Sequence, residues 1–476
     1  MPRMHKTIVV AVAALTVSAL LAAQGQPPNP NAPSNFITFN SPVTVLTHVR
    51  VIDGTGAPAR ANQTIVIRDG RIAQVGDVAA ITLPSGANII DLPGRSVIPG
   101  LVMMHEHLYY PTGPGVYGQL GESFARLYLA GGVTTMRTGG NTNGIMDFNL
   151  ARRIDAGEMV GPTLDATAPY LNGPSPFLQM YGLKDAADAR RQANYWADMG
   201  ATSFKAYMQI TRDELKASIE EAHKRGLKVT GHLCSVTYGE AADLGIDNLE
   251  HGFFAATDFV AGKQPDVCPG QARGQESMAA LDENGAPFAA LVKKLVDRHV
   301  ALTSTLTVFE TFTPGRPGPR GLDVLTPQLR EQFERAHERV EQNASSTYAT
   351  LFPKDMRMER AFVKAGGLLT AGIDPTGAGG VVPGFADQRQ LELLVEAGFT
   401  PLEAIAIGTR NGATYLGRDA VIGTIAAGKQ ADLVIVNGDP STTIADVQRV
   451  QTVVKKGVGY DPSKLIASVT GRVGLW

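Results

Sequence analysis

Two histidines separated by one residue, His105 and His107 in Val102-Met103-Met104-His105-Glu106-His107, close an apolar run that begins at Ser96. They constrain this chain more than any other stretch. In extended backbone, residues i and i+2 project from the same face, so a strand here presents both imidazoles to one metal ion. Two imidazoles alone leave an ion open, and further ligands must come from elsewhere. Four later runs of strand character end on suitable or nearby basic side chains: Ser203-Phe204-Lys205, Val229-Thr230-Gly231-His232, Leu249-Glu250-His251 and Ala371-Gly372-Ile373-Asp374.

Between Ser96 and Gly417, short runs of β-branched or small residues alternate with helical patterns, which predicts repeated βα units and a parallel sheet. Strand ends are expected at His107, Thr138, Tyr170, Lys205, His232, His251, Thr305 and Asp374. Eight such ends suit an α/β fold of the (β/α)8 TIM-barrel type, with the site where the strands finish. Thr211 and Glu214 have capping-box spacing ahead of the stripe Leu215, Ile219, Ala222, which predicts a helix ending before Gly226. Strand-rich text at Thr44–Leu92 returns at Ile422–Val436 and Thr452–Val458, so one small β domain is expected from both ends of the chain. The expected division is 1–25 signal segment, 26–95 plus 418–476 terminal β domain, and 96–417 catalytic barrel.

Arg3, His5 and Lys6 precede the apolar run Ile8–Ala23 and the Pro-rich Gln24–Pro33, the pattern of an export signal cut between Ala22 and Gly25. An uncleaved anchor is the alternative, although the run is shorter than the ~20 residues of a span. The mature chain is therefore expected in the periplasm or outside the cell, free of membrane. A formal charge of −2 offers no basic footprint for nucleic acid, and the expected partner is a small-molecule substrate, with self-association left open. Cys234 and Cys268 would share the barrel mouth, either as a disulfide pinning the loop after the sixth strand or as two free thiols.

His105, His107, Lys205, His232, His251 and Asp374 together suit two divalent metal ions, zinc first among them. An ammonium would repel cations, but a buried lysine readily loses its proton, and its neutral amine can add carbon dioxide to become a carbamate bridging two metals. Two metals sharing a hydroxide lower the pKa of its parent water and polarise a carbonyl. Asp374 is then the catalytic proton carrier to the leaving amine. Glu106 should face away, and Glu250 reads as a strand-end contact. For substrate binding the candidates are Arg137, as a carboxylate fork or a structural ion pair, and the hydroxyls of Tyr170, Tyr207 and Tyr238. Arg316 and Arg320 are expected to face solvent.

Several phrases carry a resemblance: Val51-Ile52-Asp53-Gly54-Thr55-Gly56, Val97-Ile98-Pro99-Gly100-Leu101-Val102 leading into the histidine pair, Gly132-Val133-Thr134-Thr135, Glu250-His251-Gly252, and the run from Gly423 to Val434. With them the chain resembles the amidohydrolase superfamily, in its imidazolonepropionase-like and prolidase-like branch. The resemblance implies a first metal on His105, His107 and Asp374, a second on His232 and His251, N6-carboxylated Lys205 between them, and a composite β-sandwich from the terminal strands. Thr138 stands where the branch commonly has Asp, and Leu233-Cys234 follow His232 where relatives commonly have Ala and an aromatic or small residue. The implied function is metal-dependent hydrolysis of a C–N amide bond in a dipeptide or N-acyl amino acid. The same site would serve a cyclic amidase, a deaminase or a lactone or phosphoester hydrolase, and a barrel that lost its metals would be non-catalytic. Substrate side chain, native metal and oligomeric state are not legible.

Overall fold

The computed structural model describes residues 29, 31–113, 115–174 and 179–474, and the signal segment expected over 1–25 lies outside them. Six strands come first: β1 (Ile37–Phe39), β2 (Val43–Val51), β3 (Arg60–Arg68), β4 (Arg71–Asp77), β5 (Asn88–Asp91) and β6 (Arg95–Pro99). Ten follow: β7 (Leu101–Glu106), β8 (Tyr109–Gly113), β9 (Val116–Gln119), β10 (Val133–Thr138), β11 (Thr163–Asp165), β12 (Ser203–Ala206), β13 (Lys228–Gly231), β14 (Asn248–Glu250), β15 (Ala301–Ser304) and β16 (Leu369–Ala371). The last described strands are β17 (Leu433–Asn437), β18 (Val450–Lys455) and β19 (Val458–Tyr460).

Strands from both ends of the chain form one nine-stranded sheet in the order β1-β19-β18-β17-β6-β2-β3-β4, with β5 also on β2. The strands expected as a β-sandwich are all linked by hydrogen bonds, and β2 is long enough to serve two partners along one edge. Its first half pairs with β5 and its second half with β6. Leu46, Val49, Ile65, Val97, Leu433 and Val454, from both ends, share one buried core there. The tight β3–β4 turn is made by Asp69 and Gly70, both at positive φ (49° and 75°), as a two-residue hairpin loop of that hand requires. The expected domain boundary at 95/96 falls inside β6, and the chain leaves the terminal sheet at Gly100 instead.

The middle of the chain holds eight parallel strands in chain order, as two arcs: β7-β10-β11 and β12-β13-β14-β15-β16. This is an α/β arrangement of the expected order, with two seams instead of one unbroken ladder. At one seam Ala168 donates its N–H to Ser203 O at 3.0 Å, and at the other Ile373 donates to His105 O at 3.2 Å. The regular ladder of the third strand ends at Asp165, and isolated parallel bridges at Thr167, Pro169 and Leu171 carry the pairing on past the expected end at Tyr170. Pro169 has no N–H to give and Thr167 N–H is taken by the Thr138 hydroxyl at 2.9 Å, so the ladder is interrupted there, while Ala168, Tyr170 and Leu171 still donate to neighbouring backbone. Arg212–Lys224 is a helix with the expected capping box of Thr211 and Glu214, burying Leu215, Ile219 and Ala222.

Candidate metal centre

The site is assembled where β7, β12, β13, β14 and β16 finish. His105 can sit there because two flanking positions lack a side chain. A Cβ on Gly372 would lie 2.5 Å from His105 N, and one on Gly139 would lie 2.4 Å from the imidazole. His251 and Asp374 adopt positive φ (72° and 49°), a conformation that costs a non-glycine residue of order 1 kcal/mol or more. Both stand just past their strands, and both turn into the same cavity as the other four expected ligands.

His105, His107 and Asp374 each bring one ligand atom within 4.8 Å of the others. Asp374 Oδ1 lies 3.1 Å from His107 Nε2 and 3.7 Å from His105 Nε2. The far nitrogens are committed: His107 Nδ1 meets Gly140 O at 3.0 Å and His105 Nδ1 meets Glu250 Oε2 at 2.7 Å. A proton held on Nδ1 leaves each Nε2 open to an ion, which is how metal-binding imidazoles are prepared. The ring of His251 stands 4.6 Å from those of both His105 and His232, and its Nδ1 contacts Thr305 Oγ1 at 2.8 Å. Burial, with the cation of Lys205 nearby, lowers the pKa of His105 to about 4 and of His232 to about 3, so both rings are neutral at neutral pH. Burial resists ionisation of Asp374, yet the imidazoles of His105 and His107 hold its carboxyl well below the usual range.

Glu250 is the hub beneath these ligands. Its Oε1 accepts from Arg137 Nη2 at 2.5 Å and lies 3.4 Å from Lys205 Nζ, while its Oε2 holds His105. Two buried cations thus face one buried carboxylate, and Arg137 has the close contact. The Lys205 Nζ, fully buried, is out of line for a hydrogen bond to Glu250 and has no other acceptor among the described residues. Burial lowers its pKa to about 8, assisted by Arg137 and opposed by Glu250. A buried ammonium without an acceptor is costly, whereas a neutral amine, or an amine converted to an anion beside cations, suits the place. By donor chemistry and by this orphaned nitrogen the residues fit a divalent metal centre.

The cavity, about 190 Å³, has aromatic walls. Tyr170 and Tyr207 line it as expected, with rings 4.9 Å apart, and the Tyr170 hydroxyl is bonded to that of Tyr109 at 2.5 Å. Tyr109, Tyr117, Phe309, Phe312 and Gln271 also line it, and sequence reading had not named them. Tyr109 had a signal, since it extends the i, i+2 series of His105 and His107 and stacks on His107 at 4.4 Å. Of the other four, Tyr117 lies in β9, Phe309 in the short helix Leu306–Glu310, Gln271 at the start of the helix Gln271–Ala280 and Phe312 in a turn, and none continues the spacing of the histidine pair.

Two substrate candidates are corrected. Arg137 is not a carboxylate receptor: besides Glu250 it donates to Met104 O at 2.9 Å and Thr230 Oγ1 at 3.0 Å, and it points beneath the ligands. Tyr238 is fully buried with its hydroxyl on Glu250 O and Gly252 O, at 2.9 and 3.1 Å, and does not line the cavity. Thr138, which stands where the branch commonly has Asp, accepts from Thr167 N–H through its hydroxyl. Arg316 and Arg320 are part-buried and paired with Glu310, Glu396 and Glu392 instead of facing solvent. Cys234 and Cys268 are joined by a disulfide, three residues before Gln271 enters the cavity.

Residues 344–458 match the model of the amidohydrolase family. The chain is similar to adenine deaminase 3 of Rhizobium meliloti, 24% identical over 83% of this chain, a match that spans only 55% of that protein's length. It is similar to the imidazolonepropionase of Herpetosiphon aurantiacus, 23% identical over 82% of this chain and 89% of the relative. Its fold is similar to that of a Xaa-Pro dipeptidase solved with bound methionine, with a TM-score of 0.66 and 19% identity over 88% of this chain and all of that one.

Proposed function

Taking a chain of the amidohydrolase superfamily as the premise, we propose a two-metal hydrolase that cleaves a C–N amide bond of a small substrate. The observation that carries this reading is one cavity lined by His105, His107, Lys205, His232, His251 and Asp374. His105, His107 and Asp374 would hold one ion, His232 and His251 another, and carboxylated Lys205 would join the two sets. Bound there, divalent ions, zinc in the first instance, supply Lewis acidity and a water made acidic enough to act at neutral pH. The rest falls to the protein's own groups.

Glu250 keeps the His105 proton on Nδ1, and because Arg137 already neutralises Glu250, the Lys205 amine is spare for carboxylation. The Asp374 carboxylate, ionised at neutral pH, takes a proton from the attacking water and delivers it to the departing nitrogen. Phenol hydroxyls at the wall, those of Tyr170 and Tyr207, would donate to the carbonyl oxygen. We further read the two arcs as one eight-stranded barrel and the terminal strands as a separate β domain. Export is supported by the Cys234–Cys268 bond, since disulfides persist in oxidising compartments.

The test is metal analysis with turnover of amides against lactones and phosphoesters. About two divalent ions per chain and faster turnover of amides are expected, and His105→Ala should lose metal and most activity. Full metal content and rate in His105→Ala, or a clear preference for lactones or phosphoesters, would refute the reading.

A further inference from the structure

Beside the catalytic cavity lies a second chamber of about 370 Å³ that shares Thr142, Tyr170 and Met180 with it. Its own walls are the amides of Asn141, Asn143, Gln179 and Gln192 and the rings of Tyr181 and Trp196. No Asp, Glu, Lys, Arg or His is among the described residues that line it. The catalytic cavity repeats the pattern, for outside the six proposed ligands its described lining carries no charged side chain. Asn141 is fully buried with its Nδ2 donating to Thr167 O at 2.5 Å, while its Oδ1 has no partner among the described residues. Trp196 is half-buried, and Gly144 gives it room, since a Cβ there would lie 2.7 Å from the indole.

We propose that this second chamber is a substrate subsite for an uncharged aromatic ring, so that the bond cleaved belongs to a neutral aromatic amide and not to a dipeptide with a free carboxylate. The inference rests on the hydrolase reading above and names its substrate class. An aromatic ring can lie against Trp196 and Tyr170, with the amides of Asn143 and Gln192 beside it. A carboxylate entering the same space would exchange water for ring faces of negative potential and for amides, with no cation to pair with. The guanidinium that would have received it, Arg137, is committed to Glu250.

The test uses two ligands that differ by one group, N-phenethylbenzamide and N-benzoyl-phenylalanine, which share the scissile amide while only the second bears a carboxylate. With the metal-loaded protein, benzoate release gives kcat and KM. Binding without turnover is read on the Asp374→Asn protein from the emission of Trp196, the chain's other tryptophan being Trp476. The neutral amide is expected to bind about tenfold more tightly or better, a difference of one decade in the equilibrium constant. Trp196→Ala should raise its KM by a similar factor with kcat little changed, and Gln192→Arg should shift preference toward the acid. Equal binding of the two ligands, tighter binding of the acid, binding of neither, or an unchanged KM in Trp196→Ala overturns the subsite. Selective binding of the neutral amide with no benzoate released supports the subsite and removes the hydrolase reading instead.

Discussion

Replacing Arg137 by leucine separates the two roles that a buried arginine at a strand end can have. Arg137 is 1% exposed and Glu250 fully buried, so the substitution strands a carboxylate with its nearest cation gone. Breaking a buried pair from one side costs about 3–5 kcal/mol. Met104 O and Thr230 Oγ1 lose a donor as well, which places the expected loss near 4 kcal/mol, a factor of about a thousand in the folding equilibrium. A second effect follows at the metals. Arg137 is one of the influences that lower the Lys205 pKa, and without it Glu250 holds the Lys205 proton more firmly. Carboxylation is then opposed and metal content falls. Urea unfolding of Arg137→Leu should show a lower midpoint at unchanged slope, and elemental analysis fewer ions per chain. A wild-type midpoint with a KM raised only for carboxylate-bearing substrates would show that Arg137 is a substrate clamp and that the Glu250 argument is wrong.

Asp374→Asn should stay folded yet turn over roughly 10²-fold more slowly, because an amide cannot carry the proton, and a near-normal rate would end that role. Gly372→Ala puts a Cβ 2.5 Å from His105 N, so β7 and β16 must separate; a loss of about 1–3 kcal/mol and reduced metal content should appear in thermal melts and elemental analysis. Asp355 and Glu359 are buried carboxyls on one helix, with Asp355 Oδ2 and Glu359 Oε1 turned toward each other beside Gly252, where they can share a proton. Burial raises Asp355 to about 8 and Glu359 well above its usual value. The folded state therefore keeps protons that the unfolded chain has released, so stability is greatest below pH 4 for this pair and declines as pH rises toward about 8. The Tm of Glu359→Gln should fall less than that of the wild type between pH 5 and 9, and parallel profiles would contradict the assignment.

What could be read in advance was whatever follows from local geometry. The i, i+2 spacing of His105 and His107, and the recurrence of ligands just past apolar runs, depend on strand direction alone, and the six residues do line one cavity. The capping box at Thr211 is equally local. Arg137 was left open because its partner is set by the register of β10 against β7 and by the position of β14, neither of which a single strand encodes. Tyr238 starts a helix like any amphipathic residue, and nothing nearby announces that its hydroxyl reaches back to Glu250 O. The regular ladder of the third strand stops short of Tyr170 because Thr138 and Thr167 exchange side-chain bonds there, which leave no pattern in the text.

The terminal sheet has a consequence for how the molecule is made. Its central pairing, β6 with β17, joins Arg95 to Asn437, so strands synthesised early wait for partners that emerge more than three hundred residues later. Until then β6 offers its free edge, and only Gly100 separates it from β7, the strand that carries His105. The clasp is closed last. Whatever cuts short synthesis or passage of the chain before β17 therefore leaves the middle segment with an open, sticky edge joined directly to its ligand strand, a species suited to capture by chaperones or proteases and unsuited to hold metal in place.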